Sequence, residues 1–330
     1  MQDFPVIDIS TFNESRLTVK KVLAQRVDEV CRQTGFLAIV GHGVPKTIIA
    51  AAQSTAKSFF DLSLDNKLKV KMPYLGYPYG YAPFQAEALA GSLGDETPPD
   101  LKESFSIGPP GRSQDKSESA DRDFRLAPNL WPSEPVDLRA AWSTYYRAMS
   151  ELAARIMQIF AFALDLPEDF FEDEFDRHPS AMRAINYPPQ LMPATPGQLR
   201  AGAHTDYGSM TILLAEPDPG GLEIFTPDGE WLAVPSVPRA FIVNIGDLLA
   251  RWTNDRWVST LHRVVCPPPD EGDPQRRQSI AFFHQPNWDA EIRCLPTCLA
   301  PGEKAKYPPV ESGAHLRGKF RRTLPSIARQ

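Results

Sequence analysis

Cysteine is scarce in this chain: there are four in 330 residues, Cys31, Cys266, Cys294 and Cys298. So few, so scattered, exclude a disulfide-stapled fold and read as free thiols of a reducing cytosol. Cys294 and Cys298 are close enough for half of a metal site, but no second pair completes it. A basic surplus is missing too. Thirty-five Lys and Arg stand against 41 Asp and Glu, for a net charge of −6 and a pI near 5.6. With no basic run interleaved with aromatics, a nucleic-acid partner is not expected. No apolar run reaches the ~20 residues of a membrane span, so no membrane partner is expected either. Met1-Gln2-Asp3-Phe4-Pro5 has neither the basic segment nor the apolar core of a signal peptide. The expectation is a cytoplasmic protein, a monomer or weak homodimer.

What the chain does have is ample apolar material, 42% of residues, cut up by 33 Pro and 20 Gly. That composition supports a sizeable core with many turns and few long helices. Residues 4–10 alternate as a short strand, 17–33 read as an amphipathic helix, 36–40 as a buried strand and 46–61 as a second helix. Between Pro73 and Pro110 periodicity stops, and Tyr74, Tyr77, Tyr79, Tyr81 and Phe84 crowd together with Gly and Pro. Such a segment is a long loop packed on something. It is expected to fold over the open end of the jelly roll as a lid that closes on substrate, the alternative being a fixed plug of rings. Residues 111–123 are polar and charged, a solvated surface loop. The strongest helical pattern spans 140–164, where Trp142, Tyr145, Met149, Leu152, Ile156 and Ile159 share a face. From Met182 onward short strands divided by Gly and Pro dominate, with a hairpin turn at Pro227-Asp228-Gly229. Many short strands of this kind fit a double-sheet jelly roll. The fold class expected is mainly β with flanking helices. Residues 1–110 form an N-terminal module, 111–180 a loop and supporting helix, 181–290 the jelly-roll core and 291–330 a tail, in one compact unit.

The chemistry centres on His204-Thr205-Asp206. On a strand, residues i and i+2 point the same way, so an imidazole and a carboxylate would project together. A third ligand must come from elsewhere, and His262, in the β-branched run Leu261-His262-Arg263-Val264-Val265, is the best candidate. Two His and one carboxylate make the facial triad of non-haem Fe(II) oxygenases, with three positions open. In Arg277-Gln278-Ser279 the same i, i+2 logic sets a guanidinium fork beside a hydroxyl, a pair suited to a small acid's carboxylate. Arg277, Ser279, Ala281 and Phe283 share one strand face, and an Arg among such neighbours needs a buried anion.

His204-x-Asp206, His262 roughly 55 residues on and Arg277-x-Ser279 about 15 further resemble the iron(II)/2-oxoglutarate-dependent oxygenases of the isopenicillin N synthase-like family. Residues 202–208, 220–224, 243–247 and 259–264 resemble that family in the same order, and the likeness spans nearly the whole chain. The resemblance implies a double-stranded β-helix core holding Fe(II) on His204, Asp206 and His262. It implies 2-oxoglutarate, with its far carboxylate on Arg277 and Ser279 and help from Tyr187, and O2 at the last position. Oxidation of a C–H bond of a small molecule would accompany release of succinate and CO2, by hydroxylation or by desaturation, cyclisation or epoxidation. Phe283, Phe105 and Tyr81 are the expected substrate-pocket residues. Relatives that use no 2-oxoglutarate also keep Arg-x-Ser, so a same-fold oxidase stays open. A Zn(II) hydrolase and a metal-free binding protein are weaker alternatives. His42, beside two glycines, is expected to make a structural hydrogen bond. His178 is expected at the surface and His284 outward, out of phase with Arg277. His315 reads as structural, and Asn244 and Asp247 as turn-formers.

Overall fold

The apolar spacing from Leu138 onward winds into a 26-residue helix because Trp142, Tyr145, Met149, Leu152, Ile156 and Ile159 can then bury together against a sheet. This is seen in a computed structural model, which describes residues 4–12, 16–74, 76–94, 97–111, 127–189, 194–216, 220–267 and 276–323. The expected solvated loop therefore lies, beyond Gly111, outside the described residues. In chain order the strands of the first half are β1 (Val6–Asp8), β2 (Phe36–Val40), β3 (Gly80–Ala82), β4 (Glu103–Ile107) and β5 (Ala181–Tyr187). The second half adds β6 (Ala201–His204), β7 (Met210–Ala215), β8 (Leu222–Phe225), β9 (Trp231–Ala233) and β10 (Phe241–Ile245). It continues with β11 (His262–Val264), β12 (Arg277–His284), β13 (Glu291–Ile292) and β14 (Val310–Glu311). The helices are α1 (Leu17–Gln33), α2 (Lys46–Phe60), α3 (Leu64–Leu68), α4 (Leu138–Ala163), α5 (Glu172–Phe175), α6 (Asp247–Trp252) and α7 (Ser312–Thr323), with a 3-10 turn at Leu89–Leu93. Among the described residues no helix is long and apolar enough to cross a membrane.

Two sheets face one another. The major sheet runs β1-β2-β10-β7-β12-β5-β4-β3 and the minor one β6-β11-β8-β9. The N-terminal strands thus extend both edges of the sheet that the later strands build. One face of the major sheet packs on α1, α2 and α4 through a large core that includes Phe59, Trp142, Ile212, Val243, Ile280 and Phe282. Truncating a fully buried ring there, such as Trp142→Ala, would cost about 3–5 kcal/mol. The other face looks into the space between the sheets, lined by Phe36, Ala38, Tyr187, Ile224, Ile242 and Val264.

Pairing registers sort every major-sheet residue to one face or the other. Across the strands Ala38, Ile242, Leu213, Ala281, Arg183, Ser106 and Gly80 form one row. Leu213 and Ile242 belong to the inner cluster, so the row faces inward. A neighbouring row holds Phe36, Asn244, Thr211 and Phe283.

That sorting corrects several expectations. Phe105 pairs with Tyr81, and both lie on the helix-facing side. Phe105 packs on Phe59 and Trp142, and the Tyr81 hydroxyl donates to Glu103 at 2.5 Å. Neither ring lines the inner space; from β4 it is Ser104 and Ser106 that do. Tyr77 and Tyr79 are buried as well, with the Tyr77 hydroxyl donating to the Pro128 carbonyl at 2.6 Å. Three of the five rings are therefore packed into the fold, with Tyr74 and Phe84 exposed, which favours a plug over a lid.

His284 does point away from the inner space but not toward solvent. It is buried against the helical layer, stacked on Phe175 at 4.4 Å and bonded to the Ser209 hydroxyl at 3.0 Å. His178 is half-buried rather than on the surface, in ring contact with Tyr146, Phe282 and His284. His42 does make the expected structural bonds, to the Arg239 carbonyl and the Val44 amide.

Candidate metal and co-substrate site

β6 ends at His204, so Asp206 sits just beyond the strand rather than on it. The loop that carries it is tied down by backbone bonds from Asp247 N to Asp206 O (2.8 Å) and from Leu248 N to Gly208 O (3.0 Å). Close approach demands glycine here: a Cβ on Gly208 would lie 2.3 Å from the His284 carbonyl oxygen, and one on Gly246 2.3 Å from that of Gly208. β11 pairs with β6 so that His262 stands opposite His204.

The result brings the three expected ligands together. His204 Nε2 and His262 Nε2 each lie 3.9 Å from an Asp206 oxygen, and one ligand atom from each residue falls within 4.8 Å of the others. Both imidazoles are oriented by the chain. His204 Nδ1 donates to Gly202 O at 2.8 Å and His262 Nδ1 to Thr260 O at 3.0 Å. With the proton held on Nδ1, each Nε2 presents its lone pair to the shared space. Burial, then the neighbouring His262, draws the His204 pKa down to about 3, so its ring is neutral and ready to ligate at ordinary pH. Burial alone would raise the Asp206 carboxyl. The two histidines and the bonds from Thr211 and Asn244 overcome this and hold it below the usual carboxylate range.

Those last two bonds go beyond what the sequence reading supplies. Asn244 is not a turn-former: it lies within β10, and its Nδ2 donates to Asp206 Oδ2 at 2.7 Å, while Thr211 Oγ1 donates at 2.5 Å to the same oxygen. The signal is present in the sequence, since an Asn on an inward strand face needs a buried partner. Asp247 does begin a helix, α6, and also accepts from Thr205, Ser259 and Lys319.

Arg277 opens β12 and is only 3% exposed. It lies opposite Tyr187 with its guanidinium 5.0 Å from that ring's centre, and its Nη1 has no hydrogen-bond partner among the described residues. A buried cationic donor left open is costly unless an anion completes it. Arg200, unremarked in the sequence, is buried nearby, and burial together with the Arg277 charge lowers its pKa. Two guanidinium groups beside one open donor make a carboxylate site, as 2-oxoglutarate requires. Ser279 shares the Arg277 face. Phe283 stands opposite Thr211, on the inner face of the sheet with Arg277 and Ser279.

Residues 4–134 match the family described as non-haem dioxygenase in morphine synthesis N-terminal, and residues 179–286 the 2OG-Fe(II) oxygenase superfamily. A 2-oxoglutarate-Fe(II) type oxidoreductase, hxnY of Emericella nidulans, is 33% identical over 97% of this chain and 90% of its own. A homoarginine-6-hydroxylase of Oryza sativa subsp. japonica is 32% identical over 94% of each chain. A full-length Neurospora crassa protein, solved in complex with alpha-KG and thymine, superposes with a TM-score of 0.84, at 30% identity over 97% of each chain. The double-stranded β-helix, the His-Asp-His cluster and these matches agree: the chain belongs to the 2-oxoglutarate/Fe(II) oxygenase superfamily and is a non-haem Fe(II)- and 2-oxoglutarate-dependent dioxygenase.

Proposed function

We propose that this dioxygenase hydroxylates a C–H bond of a small polar molecule, with Fe(II) held by His204, Asp206 and His262 and the far carboxylate of 2-oxoglutarate by Arg277 and Ser279. The observation that carries the co-substrate assignment is the Nη1 of the buried Arg277, open among the described residues. The Arg277 guanidinium stands over the Tyr187 ring, and the inward strand face that Phe283 shares with Arg277 supports its role in the substrate wall. Bound Fe(II), 2-oxoglutarate and O2 supply the oxidising chemistry, with succinate and CO2 as co-products. The chain's own part is to orient and exclude. Gly202 and Thr260 carbonyls hold the imidazoles, Thr211 and Asn244 aim the carboxylate, and the two facing sheets keep water from the reacting groups.

Thymine and L-homoarginine, named for relatives, are the first compounds to offer it. Purified with Fe(II), the protein should release succinate from 2-oxoglutarate in step with a gain of one oxygen on the true substrate. Asp206→Ala should abolish turnover and metal binding together, because two histidines alone cannot hold the ion. Wild-type activity in that variant would sink the ligand assignment. Its four cysteines, none in a disulfide, support a reducing, cytoplasmic setting, and we expect a monomer or weak homodimer, to be checked by light scattering.

A further inference from the structure

An ion network outside the metal and co-substrate residues lies along the inner side of the major sheet. Lys102 precedes β4 in phase with Ser104 and Ser106, and so looks inward with Arg183 of β5. Lys102 Nζ lies 3.3 Å from Glu87 and 3.2 Å from Asp100, and Arg183 Nη1 lies 3.2 Å from Glu87. Asp100 also accepts from Leu89 N at 3.1 Å and Gly202 N at 2.9 Å, and the Gly202 carbonyl in turn receives His204 Nδ1. The network is thus one backbone residue away from a metal ligand.

Its members are not equally accessible. Lys102 and Asp100 side chains are 3% and 2% exposed, whereas Arg183 and Glu87 are 19% and 24% exposed. The first pair is structural, holding the turn at Leu89–Leu93 against β6. The second pair keeps part of its polar surface accessible. Arg183 uses Nε on Ser106 and Nη1 on Glu87, and among the described residues its Nη2 has no partner. Glu87 Oε2 is shared by Arg183 and Lys102, whereas Oε1 takes Arg183 and keeps a lone pair to accept more. Burial would raise the Glu87 carboxyl, but Arg183 and Lys102 hold it at about 2, so it is an acceptor at all working pH.

We propose that Arg183 and Glu87 read the substrate, and that they select a neutral group in which a carbonyl oxygen stands next to an N–H, as in an amide, imide or cyclic urea. The guanidinium donates to the carbonyl and the carboxylate accepts the N–H. The network of two cations and two anions is balanced, so a charged ligand group placed against it would be buried without a counter-ion. A neutral dipolar group satisfies both members and adds no charge. This rests on the oxygenase reading above, which puts the substrate in this space.

The test is calorimetric, on the full chain loaded with Mn(II), which binds but does not turn over. 2-Oxoglutarate is titrated first, then thymine, 1,3-dimethylthymine, benzoate or L-homoarginine. Thymine should bind about tenfold or more tightly than its dimethylated form, which has lost the N–H, and than either charged probe. Glu87→Gln, which leaves a net positive network, should weaken thymine and strengthen benzoate by about tenfold. Arg183→Gln should do the same for L-homoarginine. If the variants fail to fold, the wild-type ranking alone decides. Equal binding of thymine and its dimethyl form, no thymine binding, or tighter binding of a charged probe overturns the proposal while the oxygenase reading stands. Failure of 2-oxoglutarate itself to bind would sink that reading and this proposal with it.

Discussion

Replacing Arg277 with Met separates the cost of a buried charge from its use. In the free protein the Arg277 guanidinium is 3% exposed and leaves Nη1 unpartnered among the described residues. Met keeps comparable bulk against Tyr187 and removes the charge, so the melting temperature without ligand should hold or rise. The co-substrate effect runs the other way. At 100 times its Kd, 2-oxoglutarate stabilises wild type by about 2.7 kcal/mol through mass action. Each lost hydrogen bond to a charged group is worth about 1.5–3 kcal/mol, roughly 10- to 150-fold in Kd. With Kd raised about 100-fold, the same ligand concentration contributes only about 0.4 kcal/mol. At about 2–4 °C per kcal/mol, a ligand-induced shift of about 5–10 °C should shrink to about 1 °C. Thermal melts with Mn(II), with and without 2-oxoglutarate, read both numbers at once. A full ligand shift in Arg277→Met would move the carboxylate anchor elsewhere, with Arg200 the first place to look. A large loss of stability without ligand would mean that the guanidinium already has a partner in the protein.

The aiming of Asp206 gives a second expectation. Asn244→Ala removes the 2.7 Å bond to Oδ2, and metal affinity should fall about 10- to 100-fold while the KM for 2-oxoglutarate, measured at saturating metal, stays near wild type; equal loss of both would mean that the site as a whole had moved. The tyrosine plug gives a third: amide exchange across residues 77–82 should be slow in the free protein and unchanged by 2-oxoglutarate and substrate, because the rings are already buried. Marked slowing on substrate binding would restore the lid.

The metal site is legible in the sequence because its parts are local. His204 and Asp206 are two residues apart, and His262 and Arg277 sit at recognisable spacings with matching neighbours. Direction on the strands is harder to read. Strand alternation is readable when one face is polar, but all five residues of β4 are buried and seven of the eight in β12. A sheet with helices on one side and a second sheet on the other has no solvent face to mark inside from outside. Phe105 is therefore readable as a β4 residue while its side of the sheet is not, and Tyr81 follows it through the pairing. The polar phase of Lys102, Ser104 and Ser106 carries the correct answer more faintly than the aromatic rings carry the wrong one. The ion network is hidden for another reason. Glu87 and Asp100 belong to an aperiodic stretch, and Arg183 lies about 80 residues further along the chain, so only the pairing of β4 with β5 brings them together.

β12 shows how these two kinds of information divide along one strand. Its odd positions, Arg277, Ser279, Ala281 and Phe283, face the inner space beside Tyr187, Ile185, Arg183 and Ala181 of β5. Its even positions face the helices: Ile280 and Phe282 enter the main core, Phe282 meets Tyr146 edge-on at 5.1 Å, and His284 is stacked on Phe175. A strand buried on both faces thus serves two environments with opposite demands. The helix-facing positions must fill volume, and deleting a large side chain there is felt as lost stability. The inward positions must leave room and open donors, so Ala281 is small and Arg277 has a nitrogen unpaired among the described residues. Substitutions on the two faces should therefore report differently although they alternate residue by residue: Phe282 through the melting temperature, Arg277 through co-substrate affinity. The strand's period of two is what lets the chain carry a core and an active site in the same eight residues.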